Sequence, residues 1–106
     1  MAKYLYIVNY SVEGARGVIK EGGTGRVEAV RKLAASMGGT VEAFYFGFGS
    51  DDAYVIIDGP DNVGAAAAAL AVGASGAGSV RTVVLLTPEE VDQAAKMTPQ
   101  YRAPGA

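Results

Sequence analysis

The chain has no cysteine, no histidine and no tryptophan. Without cysteine there is no disulfide, no thiolate nucleophile and no sulfur-ligated metal, a usage that fits a reducing compartment and gives a cytoplasmic expectation. Without histidine, the usual zinc sites, the Ser-His-Asp triad, the Cys-His pair and histidine-ligated haem are out of reach. An excess of one charge is missing too. Nine basic residues stand against eleven acidic, a net charge of -2 spread along 106 residues, so nothing marks a footprint for a phosphate backbone or an anionic membrane. Neither nucleic acid nor a membrane is an expected partner. The N-terminal MAKYLYIVNY has an apolar run too short for a signal-peptide core and lacks a small-residue cleavage site, so it reads as a first strand.

The carboxylates and glycines that remain do not assemble a reactive set. Asp51 and Asp52 are neighbours on a turn, where adjacent side chains diverge and serve as turn formers. Glu89, Glu90 and Asp92 fall at a helix N-terminus, where the macrodipole accounts for them. Gly47-Phe48-Gly49 and Gly76-Ala77-Gly78 each lack the third glycine of a dinucleotide fingerprint. Gly22-Gly23-Thr24-Gly25-Arg26 precedes a helix and offers backbone N–H groups to an anion, yet it has no Gly-Lys-Ser/Thr ending. No catalytic residue, cofactor or metal is expected.

What is present is a regular alternation of strand and helix signals. Lys3 to Tyr10 is β-branched and aromatic, with Leu5 and Ile7 on one side of the pleat and Tyr4, Tyr6, Val8 and Tyr10 on the other. Ser11 to Gly25 carries five glycines among charges and reads as a long mobile loop, with at most a helical turn around Ala15 to Ile19. From Arg26, the positions Val27, Val30, Leu33, Ala34 and Met37 recur at helical spacing, and Gly38-Gly39 end the helix. Val41 to Asp58 holds two strands around Gly47 to Asp51, short enough for an antiparallel hairpin. In the first of them Phe44, Phe46 and Phe48 alternate with Val41, Ala43 and Tyr45. After Pro60, Asp61 or Asn62 caps a second helix to about Ser75, with no charged residue from Asn62 to Val80. Val80 to Leu86 is a fourth strand. Thr87-Pro88-Glu89-Glu90 is a capping box with proline at the first helical position, opening a short helix that turns Val91, Ala94 and Ala95 inward.

The order βαββαβ with an extra C-terminal helix predicts an α+β, ferredoxin-like domain over residues 1–98, followed by a tail at 99–106. Its strands are apolar or aromatic on both sides, whereas an antiparallel sheet with one wet face alternates apolar with polar. The second face, assigned to Tyr4, Tyr6 and Tyr10, is therefore expected to be buried in a homodimer. The charge-free second helix predicts a further contact, with the C-terminal helix or with another subunit of a higher oligomer.

The segments YLYIVNY, EGGTGRVEAVRKLAASMGGTVEAFYFGFG, the run from Tyr54 through Pro60-Asp61, and SVRTVVLLTPEEVDQAAK with Tyr101-Arg102 together resemble a GYD-domain protein. The resemblance implies a dimeric α/β barrel, in which two ferredoxin-like sheets pack face to face. It implies no reaction. In the turn that names the family the chain reads Gly49-Ser50-Asp51-Asp52: the aspartate is kept as Asp52, and Asp51 stands in the tyrosine's place.

A ligand neighbourhood can still be drawn. Asn9, placed on the helix-facing side with Leu5 and Ile7, needs a partner or lines a cavity. Arg16 and Lys20 follow on the loop, Tyr45 lies on the second strand and Asp52 opens the third. These five are the candidate binding residues for an anionic or carbonyl-bearing small molecule. The function class is a non-catalytic homo-oligomeric module that binds a small molecule or builds an assembly. The alternatives are a cofactor-free enzyme of oxygenase or isomerase type, supported by fold analogy alone, and a regulatory partner-binding role.

Overall fold

The computed structural model describes residues 2–106. Seven elements follow one another: β1 (Ala2–Tyr10), α1 (Val12–Ser36), β2 (Thr40–Phe46), β3 (Ala53–Gly59), α2 (Asn62–Ala74), β4 (Gly78–Leu85) and α3 (Pro88–Ala95). The four strands form one antiparallel sheet in the order β2-β3-β1-β4, which is the expected α+β, ferredoxin-like arrangement. Helices α1 and α2 lie on one face; the other face is open.

The sheet is inverted relative to the sequence reading. Tyr4, Tyr6 and Val8 of β1 are buried beneath the helices with Val55 and Ile57 of β3, against Ala34 of α1 and Ala65 and Ala68 of α2. Leu5, Ile7 and Asn9 point to the open face instead. Volume and polarity together explain the choice. An alanine-rich helix leaves space that rings fill and short aliphatics do not, and each phenol reaches a partner: the Tyr4 hydroxyl donates to Asn62 Oδ1 at 2.7 Å and the Tyr6 hydroxyl to the Ala65 carbonyl at 2.9 Å. Tyr4, Tyr6 and Tyr10 therefore do not form a dimer surface.

A second correction concerns β2. Its pairing with β3 shifts register between Val41 and Ala43, so Glu42 is an extra residue and the alternation restarts beyond it. Val41 and Phe44, expected on opposite faces, both pack against the core.

The predicted loop from Ser11 to Gly25 is helix. Ser11 caps it, its hydroxyl accepting from the Gly14 N–H at 3.1 Å, and the Ser11 N–H donates to the Ala77 carbonyl at 2.9 Å. Gly14 lies so close to the Ala77 carbonyl that a Cβ there would overlap it. The glycine that reads as a loop signal is thus a packing requirement. Only Gly22 breaks the helix, with φ 78° and ψ 168°, a conformation essentially reserved to glycine. It divides α1 into a nearly uncovered first half and a packed second half.

Finally, α3 has its capping box, Pro88 included, but buries no residue. Val91, Ala94 and Ala95 face solvent because no element of the chain lies opposite them. The chain measures 56 × 32 × 23 Å with a radius of gyration of 16.7 Å, against about 13 Å for a compact chain of this length.

Candidate functional site

The five candidate residues occupy three separate places. Asn9 is on the open sheet face, where its Nδ2 donates to Asp51 Oδ1 at 2.8 Å, and Arg81 Nη2 reaches the other oxygen of Asp51 at 3.0 Å. Tyr45 is on the same face, 72 % exposed beside Tyr54. Arg16 and Lys20 project from the first half of α1 into solvent, and neither makes a salt bridge among the described residues. Asp52 lies at the end of the sheet, accepting the Tyr10 N–H on Oδ2 at 2.8 Å, while its own N–H donates to the Val8 carbonyl at 2.9 Å. The two aspartates of the turn therefore clasp β1 from opposite sides.

The open face has a defined pattern. Across β3, β1 and β4, Leu5 pairs with Ile56 and Val83, and Ile7 with Tyr54 and Arg81, giving an apolar centre. Lys3, held by Glu42 at 2.7 Å and near Asp58 at 3.8 Å, closes one end. The Asn9-Asp51-Arg81 bridge closes the other.

Between sheet and helices lies a cavity of about 50 Å³, walled by Tyr6, Val30, Leu33, Phe44, Val72 and Val80, with Tyr10 and Arg26 as its polar members. This volume is well below the 300–1,000 Å³ of a typical ligand pocket. Two outer grooves share lining residues with it. Tyr10 also borders a groove of about 270 Å³ shared with Arg26, Glu13 and Ser75, and another of about 460 Å³ flanked by Val18, Ile19, Phe46, Phe48 and Asp52. Tyr10 lines all three spaces.

The electrostatics at that wall are specific. Burial pushes the Tyr10 phenol above its ordinary pKa; the Arg26 guanidinium opposes the shift, and Asp52 and Glu21 reinforce it. The phenol is therefore a protonated donor at neutral pH and not a base. Arg26 Nη1 donates to Glu21 Oε1 at 3.3 Å across the Gly22 break, so the kink places a partner beside the guanidinium. Two donors, Tyr10 and Arg26, converge on an otherwise apolar space. Such a set suits one carbonyl or carboxylate on a mainly apolar molecule.

Tyr10 and Arg26 are absent from the sequence-derived set, although both leave a signal. Arg26 stands four residues before Val30 and seven before Leu33, a charged residue in the helix's apolar stripe. Tyr10 shares the strand side of Tyr6 and Val8. Of the five candidates, only Asp52 adjoins the cavity system.

No group of three or more acidic residues that could hold a metal ion occurs among the described residues, and none of their helices is long and apolar enough to cross a membrane. The family model described as GYD domain matches residues 4–95. No curated protein and no solved structure matches the chain.

Proposed function

The chain belongs to the GYD-domain family, and from that premise we propose that it is a homo-oligomeric, non-catalytic module. Its ligand is a small, mainly apolar molecule with one carbonyl or carboxylate group. The observation that carries this reading is the place of Tyr10: this one residue lines the cavity and both outer grooves, and the Arg26 charge acts on its phenol. The apolar part enters between Val30, Leu33 and Phe44, and the acceptor group stays at the Tyr10-Arg26 end. The part of the ligand that the cavity cannot hold lies past Tyr10 in one of the grooves, which supply the missing volume. The non-catalytic reading is supported by the engagement of the nearby carboxylates: Asp51 accepts from Asn9 and Arg81, and Asp52 from the Tyr10 backbone.

The homodimer of the proposal pairs open sheet faces. An apolar centre of Leu5, Ile7, Ile56 and Val83, rimmed by charged pairs at both ends, has the anatomy of a protein interface. Burying it stabilises by about 25 cal/mol per Å² of apolar area.

Amide NMR titrations with small aromatic and aliphatic carboxylates and aldehydes, each paired with the amine of the same skeleton, test the site. The acceptor-bearing compounds should shift Tyr10, Arg26, Val30 and Phe44, and Arg26→Gln should weaken the carboxylates about tenfold, the size of a lost charge-assisted hydrogen bond. Equal shifts from the amines would overturn the assignment.

A further inference from the structure

Beside the edge strand β4, on the helix side of the sheet, runs a groove of about 850 Å³ lined by Tyr4, Ala66, Leu70, Gly73, Thr82 and Val84. It is larger than the spaces around Tyr10 and shares only Val80 with them, and no charged residue occurs from Asn62 to Val80. Leu70 is 72 % and Val84 56 % exposed in it. The same chain carries an apolar element with no seat. Leu86, Val91, Met97 and Tyr101 are all exposed along the arm, and on α3 Val91, Ala94 and Ala95 fall on one face, opposite Glu89, Asp92 and Lys96.

Why the arm does not fill its own groove follows from its exit. Only Leu86 and Thr87 separate β4 from α3. Thr87 precedes proline, which confines it to extended conformations. It is extended here, at φ -73° and ψ 158°, and the reciprocal bonds between Thr87 and Glu90 lock that geometry. The strand is therefore carried straight on into the helix, away from the body. A short, stiff connection that forbids folding back is the condition under which an element exchanges between identical chains.

We propose that the C-terminal arm, residues 86–106, docks in the α2-β4 groove of a second copy of this chain. Val91, Ala94 and Ala95 meet Leu70 and Val84, and the alanines and Gly73 of α2 permit close approach of the helices. The charged face of α3 stays outward. This contact uses neither the open sheet face nor the Tyr10 cavity, so it stands or falls separately from the binding proposal.

The absence of native cysteine allows a direct test. Full-length Val91→Cys and a mass-tagged Leu70→Cys are mixed and treated with a short bis-maleimide; both positions are exposed, so folding is undisturbed. The linked pair of tagged and untagged chains is expected in several-fold excess over a control mixture with tagged Ser50→Cys in place of Leu70→Cys. A yield equal to the control overturns the exchange. So does an intramolecular link as the dominant product when both substitutions sit in one chain, since that shows the arm folding onto its own groove.

Discussion

The Tyr6 hydroxyl donates to the backbone carbonyl of Ala65 at 2.9 Å, tying the centre of β1 to the first turns of α2 from inside the core. Removing only that oxygen, in Tyr6→Phe, is expected to destabilise by about 1 kcal/mol. Removing the ring, in Tyr6→Ala, should cost about 3–5 kcal/mol. Denaturant unfolding checks both, and a Tyr6→Ala variant as stable as the parent would return the tyrosines to the open face.

Three glycines of α1 should respond differently to alanine. A methyl group at Gly17 would meet nothing within 4 Å, and Gly17 has no positive φ, so Gly17→Ala should stabilise by about 0.4–1 kcal/mol. Gly22 is equally free of neighbours but holds φ 78°, and Gly22→Ala should destabilise by about 1–3 kcal/mol through backbone strain alone. Gly14→Ala meets the Ala77 carbonyl, and the crowding should likewise cost about 1–3 kcal/mol. Thermal melts of the three variants separate the signs. If all three stabilise, the kinked helix and its clasp on Ala77 are not present in solution.

Alkaline titration reads the two shifted phenols. Burial is the main cause of the raised pKa at both Tyr6 and Tyr10. Between the unfolded value near 10 and the higher folded values, the folded chain keeps protons that the unfolded chain has lost. Stability therefore falls as pH rises through that window, and the contribution is complete below it. Lys3, raised chiefly by its hydrogen bond to Glu42, acts in the same direction, so the comparison must be with Tyr6→Phe and Tyr10→Phe. Each variant should lose stability less steeply above pH 10 than the parent. Identical slopes would show the phenols to be solvated.

Pairing through the open face predicts a separation of assembly from folding. Leu5 and Ile56 are directly opposite each other there, so Leu5→Glu or Ile56→Glu should lower the assembly size in sedimentation equilibrium while leaving far-ultraviolet circular dichroism unchanged. A parent chain that is already monomeric at micromolar concentration contradicts the pairing.

Much of the fold is legible in the residues because period and punctuation agree: the hairpin, Asp61 capping α2, and Thr87-Pro88-Glu89-Glu90 opening α3 all lie where the pattern puts them. What the pattern could not decide is which side of a two-sided apolar strand meets the helices. Hydropathy favours Leu5 and Ile7, whereas volume complementarity to alanines and a partner for each hydroxyl select Tyr4 and Tyr6. Glu42 reverses the faces of β2 by one inserted residue, which no alternation rule foresees. Glycine in α1 conceals a helix because its use at Gly14 is steric and depends on Ala77, more than sixty residues away. The site was missed for related reasons. Asn9 follows the face of Leu5 and Ile7, and only the folded chain brings Arg26, across the Gly22 kink, to Tyr10.

Methyl NMR under increasing xenon pressure is the most direct measurement on the binding cavity, since dry apolar cavities take up this gas without any polar contact. Saturable shifts confined to Val30, Leu33, Val72 and Val80, with Ile7 and Ile56 of the open face unmoved, are the predicted result. Absence of saturable shifts at those four residues, or equal shifts on the open face, would contradict an accessible interior site.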